Sequence, residues 1–188
     1  MKYDKFFLRK KFLLLRKEIY FKRKKFNFSL IFKLIKKNFK NKKITIGGYY
    51  PSNYEVNILN FLKKASKKKF KVVLPFVKSS KNMSFKLWTS GEPLCVNEFG
   101  IPEPNSSRIE IMPDIVLVPL VAFDKKLNRI GYGKGYYDRS LKKIKKNKRK
   151  TIFLGIAFSG QECHYIPINK YDYKLDYIFT EQGIINAE

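Results

Sequence analysis

The chain has 188 residues and a formal net charge of +26, from 41 Lys and Arg against 15 Asp and Glu. That length fits a single domain, residues 1–188, able to bury a substantial core. Cys95 and Cys163 lack paired spacing, which excludes a disulfide framework and a structural zinc site, and His164 alone cannot build a histidine-based metal cluster.

No stretch reaches the ~20 apolar residues of a membrane helix. Arg9, Lys10, Lys11 and Arg16 interrupt the N-terminal apolar residues, so a secretory leader is not expected there. A cytoplasmic monomer without a membrane partner is the expectation. The charge has two readings. Dense Lys attracts phosphate backbones. Yet Lys is spread along the whole chain and outnumbers Arg, and the abundant Lys, Asn, Ile, Phe and Tyr all have AT-rich codons. Compositional drift is favoured, with nonspecific nucleic-acid contact as its by-product.

Tyr3 to Lys24 reads as an amphipathic helix, its stripe made by Leu8, Phe12, Leu15 and Ile19. Lys5, Arg9 and Arg16 are read onto a different face. Like charges so spaced repel unless an anion lies between them, and a solvated face is the other reading. Ser29 to Phe39 reads as a second helix, with Leu30, Leu34 and Ile35 inward. Ile44 to Tyr50 reads as a strand ended by Pro51. Ser52 with Glu55 has the form of a capping box opening a helix that carries Val56, Leu59, Phe61 and Leu62.

Lys71 to Pro75 reads as a short strand, and the alternating Met83 to Trp88 as a strand near an edge. Met83, Phe85 and Trp88 suit a core or the wall of a ring site. Gly91 to Asn105 is a loop in which Pro102 and Pro104 stiffen the chain around Glu103.

The stretch from Asp114 to Leu141 is the most informative. Asp114 to Phe123 is almost wholly apolar, as in a strand covered on both faces. Asp124 to Asn128 is a polar turn. Gly131, Gly133 and Gly135 then alternate with Tyr132 and Lys134, and Arg139, Leu141 and Ile144 have helical spacing. Strand, glycine loop and helix start together present backbone N–H groups and a positive helix end to an anion. Lys134 and Arg129 add cations, and Asp138 offers a carboxylate to a metal ion bridging phosphates. The spacing is neither a Walker A loop nor a dinucleotide fingerprint, so a tight strand-to-helix turn stays open as the plainer reading.

Thr151 to Phe158 and Asp176 to Glu181 complete the strands. Strands at 44–50, 70–75, 83–88, 115–123, 151–158 and 176–180 interleave with helices. The pattern predicts a three-layer α/β/α domain with a largely parallel central sheet, binding ligands beyond the strands' carboxyl ends.

Val118-Pro-Leu-Val-Ala-Phe-Asp124, followed by Arg129-Ile-Gly-Tyr-Gly-Lys-Gly-Tyr-Tyr-Asp-Arg139, closely resembles the 5-formyltetrahydrofolate cyclo-ligase family, also called 5,10-methenyltetrahydrofolate synthetase. Lys5-Phe-Phe-Leu-Arg9, Tyr49-Tyr-Pro-Ser-Asn-Tyr-Glu55 and Phe99-Gly-Ile-Pro-Glu-Pro104 resemble further elements of it. The resemblance implies an ATP- and Mg²⁺-dependent enzyme acting on 5-formyltetrahydrofolate. ATP would phosphorylate the formyl oxygen, N10 would close the ring, and methenyltetrahydrofolate, ADP and phosphate would leave.

It also implies residue roles. Lys5, Arg9, Arg129, Ile130, Gly131, Tyr132, Gly133, Lys134, Gly135, Tyr136 and Tyr137 would hold ATP. Lys134 and Tyr136 would act in catalysis, Asp138 and Asp172 would share the metal, and Tyr50, Glu55, Met83 and Phe85 would meet the folate. Relatives carry a His where this chain has Tyr171, so any part played by that His is in question. Two other classes fit the same residues: a non-catalytic relative that binds RNA through its charge, and a different ATP-dependent kinase or ligase on the same scaffold.

Overall fold

The structure, a computed structural model, describes residues 4–40, 42–79, 82–148 and 150–186. Four α-helices and a seven-stranded sheet carry the architecture. In chain order they begin with α1 (Lys5–Phe21), α2 (Ser29–Phe39), β1 (Thr45–Gly47), α3 (Leu59–Lys67), β2 (Lys71–Ser79) and β3 (Asn82–Leu87). The short strands β4 (Cys95–Val96) and β5 (Pro102–Glu103) follow, then β6 (Ile115–Pro119), β7 (Ala122–Phe123), β8 (Arg129–Ile130) and α4 (Tyr136–Asn147). The chain ends with β9 (Ile152–Ile156), a 3₁₀ turn at Ser159–Gln161, β10 (Tyr177–Thr180) and β11 (Gly183–Asn186).

The sheet order is β11-β10-β9-β6-β1-β2-β3. The five inner strands are mutually parallel, while β11 and β3 pair antiparallel at the two edges. The apolar runs of the sequence follow from this arrangement. Ile115 and Leu117 of β6 enter one core layer, and Val116 and Val118 enter the other. β9 divides likewise, with Ile152, Leu154 and Ile156 on one side and Phe153 on the other. Both faces are covered, so period-two alternation disappears. Ile31, Leu34 and Ile35 of α2 pack with Phe61, Leu62 and Ala65 of α3 over one face. Leu141 and Ile144 of α4 cover the opposite face. The expected three layers and largely parallel sheet are therefore present.

Chain connectivity reverses between β1 and β6: β2 lies on one side of that pair, β9 and β10 on the other. A doubly wound sheet opens a crevice beyond the carboxyl ends at such a point. The segments leaving β1 and β6 are Gly48 to Glu55 and Leu120 to Tyr137, so both candidate loops reach that crevice.

Several boundaries differ from expectation. No helix begins at Ser52; α3 starts at Leu59. Asn53 and Tyr54 have φ of 46° and 63°, a left-handed pair that a right-handed helix cannot contain. Ser52 N–H does donate to Glu55 Oε2 (3.0 Å), so the capping-box residues close a turn instead. The apolar run expected as one strand at 115–123 breaks after Pro119, and Ala122–Phe123 pairs with Arg129–Ile130 as a separate hairpin. β1 is shorter than 44–50, while β4, β5 and β11 are additions. The first helix spans less than Tyr3 to Lys24, and Tyr3 lies outside the described residues. Among the described residues no helix is long and apolar enough to cross a membrane.

The middle of β9 has no room for a side chain. A Cβ on Gly155 would lie 2.6 Å from Ile178, 2.7 Å from Leu175 and 2.8 Å from Leu120. All three neighbours are buried, so none can swing into water. Gly155→Val is expected to lower unfolding stability by about 2 kcal/mol or more, as overpacked cores do, with the loss measured as a shift in urea midpoint.

Candidate active site

The crevice encloses about 780 Å³, the size of a small-molecule site. Helix α1 forms one wall because three of its cations reach inward. Arg9 Nε donates to the Gly131 carbonyl at 2.8 Å. Lys5 Nζ pairs with Asp172 Oδ2. Arg16 is 1% exposed and lies under the crevice floor. Its guanidinium donates to the carbonyls of Leu120 (3.2 Å) and Asn53 (2.6 Å) and to the Tyr132 hydroxyl.

The glycine loop forms the facing wall. Gly133 has φ 98°, and a Cβ there would lie 3.2 Å from Arg9 Nη2. Gly135, φ 68°, immediately precedes α4, where a Cβ would lie 2.7 Å from Arg139 Nη1. Both glycines are favoured by their left-handed backbone conformation. Asp138 falls in the first turn of α4, where a carboxylate suits the positive helix end. Its Oδ1 accepts from Arg129 Nη2 (2.8 Å) and from Tyr173 N–H (3.0 Å). Arg129 is buried and also donates to the Tyr173 carbonyl. It is thus part of the wall's own framework.

Lys134 is exposed, and its ammonium sits 3.0 Å from the centroid of the Phe99 ring. Phe99 belongs to the loop between β4 and β5 and also faces Tyr136, ring centroids 6.1 Å apart. Two loops distant in sequence therefore meet over the crevice. Behind Phe99, buried Glu103 accepts from Val77 N–H (3.1 Å) and Asn97 Nδ2 (3.0 Å), anchoring that loop to β2.

At the inner end lies Glu55, 6% exposed. It accepts from Ser52 N–H (3.0 Å) and from the Tyr132 hydroxyl (3.2 Å). Burial raises its pKa above the usual carboxylate value, and the Ser52 N–H and the Arg16 cation partly counter that rise. Burial and the Glu55 charge also push up the phenols of Tyr132 and Tyr137, which remain neutral hydroxyls.

Most residues assigned from the sequence converge here. Lys5, Arg9, Tyr50, Glu55, Met83, Arg129 to Asp138 and Asp172 all line the crevice. One needs correction. Phe85 does not line it: the ring is 3% exposed in the core layer beneath Met83. Ile130 lines the crevice while its side chain packs with Leu8, Phe12, Val121, Ala122 and Ile166. Arg16 was read with Lys5 and Arg9 as one cationic face, yet it is buried in line with Leu8, Phe12 and Ile19. A break in the i, i+4 apolar stripe was its signal. Tyr171 is 67% exposed at the rim, between the ammonium groups of Lys142 and Lys170.

The model of the 5-formyltetrahydrofolate cyclo-ligase family matches residues 1–181. The chain belongs to that family. A Mycoplasma pneumoniae 5-formyltetrahydrofolate cyclo-ligase is 32% identical over 139 residues, 73% of each chain. A probable cyclo-ligase of Schizosaccharomyces pombe is 37% identical over 114 residues, 54% of this chain and 56% of that one. With that relative and the Haemophilus influenzae cyclo-ligase, the match spans little more than half of their length, 56% of each. The solved structure of Aquifex aeolicus 5,10-methenyltetrahydrofolate synthetase superposes with a TM-score of 0.77 at 30% identity, covering 97% of this chain and 92% of the other. Cyclo-ligase family membership thus rests on sequence and on fold together.

Two outcomes are expected from the buried charges. Arg16→Met leaves the Glu55 carboxylate without its nearby cation and takes a donor from the Asn53 carbonyl and the Tyr132 hydroxyl, while the Leu120 carbonyl keeps Gln161 Nε2. Stability should fall by about 3 kcal/mol in urea unfolding, and by less in an Arg16→Met, Glu55→Gln background. For Glu55, a folded-state pKa above the unfolded one means that the folded form holds its proton longer. Stability should therefore decline as pH rises from the ordinary glutamate value through the raised one. Subtracting the Glu55→Gln pH profile from that of the unaltered chain should isolate this decline.

Proposed function

We propose that the chain converts 5-formyltetrahydrofolate to 5,10-methenyltetrahydrofolate at this crevice, using ATP and Mg²⁺. The observation that carries the proposal is the meeting in one cavity of two unlike sets of residues. One is Lys5, Arg9, Lys134 and the glycine loop at a helix start; the other is the buried Glu55, with Tyr50 and Met83 lining the same cavity. The first suits a triphosphate and the second a ring bearing amide and amino donors.

The chemistry needs the formyl oxygen turned into a leaving group. ATP supplies the phosphoryl group, N10 attacks the activated carbon, and phosphate departs as the ring closes. The residues contribute position and charge. Backbone N–H groups of the loop and the N-terminus of α4 face the phosphates. Arg9, held by the Gly131 carbonyl, fixes a cation against Gly133. Lys134, on an exposed loop, swings from Phe99 to the transferred group. Tyr136 lies beside that path. Glu55 accepts from the pterin, its carboxylate oriented by Ser52 N–H and Tyr132.

The carboxylates suit a hydrated Mg²⁺ better than a protein-only cage. Among the described residues no three His, Cys, Asp or Glu side chains are grouped to hold a metal. Mg²⁺ commonly takes one or two carboxylates plus phosphate oxygens and waters. Asp138 accepts its two hydrogen bonds through Oδ1, and Asp172 accepts from Asn169 N–H and Lys5 through Oδ2. Asp138 and Asp172 would present their other oxygens, and the ion would offset phosphate charge.

The test is near-ultraviolet absorbance of the full chain with 5-formyltetrahydrofolate, Mg²⁺ and ATP. An ATP-dependent rise from the methenyl product is expected. Lys134→Ala, at an exposed loop position, should lose most of the rate, ~10²-fold or more, with unchanged thermal unfolding. No rise from folded protein would overturn the proposed activity, and near-normal turnover in the variant would remove Lys134 from it.

A further inference from the structure

The inward face of α1 is occupied by the core and the crevice, but its outward face is unlike the surface of an ordinary soluble helix. Phe7, Leu14 and Phe21 recur every seven residues and are 50%, 60% and 64% exposed. Residues seven apart return to within ~20° of one line, so the three form a stripe along the helix. Phe6, 73% exposed, and the edge-on pair Tyr20 and Phe21 widen it, and Tyr54 packs against both of the latter at 5.6 and 5.7 Å. Lys10 and Lys17 follow the same seven-residue step beside the stripe, and both are exposed. Lys22, Arg23, Lys24 and Lys25 continue the exposed basic surface beyond the helix end, while Glu18 is the one acid within α1.

We infer that this outward face docks α1 on an anionic lipid surface, lying along the headgroups. A stripe of exposed apolar side chains flanked by Lys is the chemistry of an interfacial helix. The apolar residues enter the headgroup boundary while each Lys meets anionic lipid. Charge decides among the possible occupants. A second copy would bring another +26 and set Lys against Lys. An extended RNA strand satisfies the charge but not the stripe. Its anchors are ~10.5 Å apart along the axis, Leu14 between them has no ring, and consecutive bases stack on neighbouring aromatic platforms. A lipid surface takes all three anchors at once. Docking leaves the crevice open, because Lys5, Arg9 and Arg16 leave α1 on the other side.

The experiment is co-sedimentation of the full chain with vesicles of phosphatidylcholine alone or mixed with phosphatidylserine, with a single-stranded RNA homopolymer as a parallel probe. Binding to the mixed vesicles is expected, with phosphatidylcholine alone bound far more weakly. Leu14→Ser with Phe21→Ser, both at exposed positions, should weaken that binding about tenfold or more, with unchanged thermal unfolding. Lys10→Glu with Lys17→Glu should weaken it similarly. Equal binding by the Leu14 and Phe21 variant would overturn the inference and leave only bulk positive charge. Loss of RNA binding in that variant, with vesicle binding intact, would overturn it in favour of nucleic acid. Absence of vesicle binding by the unaltered chain would overturn it outright.

Discussion

A guanidinium is held out of water at Arg16, and much of the site depends on how its donors are met. Burying an ion costs several kcal/mol unless it is paired and hydrogen-bonded. Here the Leu120 and Asn53 carbonyls and the Tyr132 hydroxyl receive it, while Nε has no partner among the described residues. Those acceptors belong to the segment after β6, the turn after β1 and the glycine loop. One side chain from α1 therefore fixes the relative position of the three segments that surround the crevice. It also places positive charge near Glu55, whose carboxylate would otherwise be disfavoured still more by burial.

The remaining basic residues are largely engaged already. Lys5 faces Asp172 and Arg129 faces Asp138, each pair crossing from one element to another. Such pairs align the walls more than they attract an anion from solution. Net attraction for an anion then rests on Arg9, Lys134, Arg139, Lys142 and the loop's N–H groups, together with the protein's overall charge. The contact of Lys134 with Phe99 gives this cation a resting partner, so its transfer to phosphate exchanges one favourable interaction for another.

The sequence was most readable where a single physical cause dominated. Apolar runs announced the parallel strands because two helix layers cover both faces of β6 and β9. The alternating glycines announced a loop whose conformation only glycine takes easily. Reading failed where long-range contacts overrode local pattern. Ser52 and Glu55 looked like a helix start, yet Asn53 turns left-handed and gives its carbonyl to Arg16. Phe85 looked like Met83, two residues away on the same face of β3, but the register sets it opposite Pro75, one step further from the strand ends, and it is buried. The apolar stripe of α1 was legible, and the cation within it was mistaken for part of a polar face.

The contacts that close the crevice join the first helix to residues far along the chain. Lys5 meets Asp172 across 167 positions, Arg9 meets Gly131 across 122 and Arg16 meets Tyr132 across 116. Closing loops of that length comes late, since their entropy must be met before the contact returns anything. During synthesis α1 emerges well before these partners, so Leu8 and Phe12 wait for their packing surface until Val121, Ala122, Ile130 and Ile166 have been made. A helix made early thus completes its contacts late, and a ribosome that stalls before Val121 leaves it with an apolar stripe and nothing to cover it.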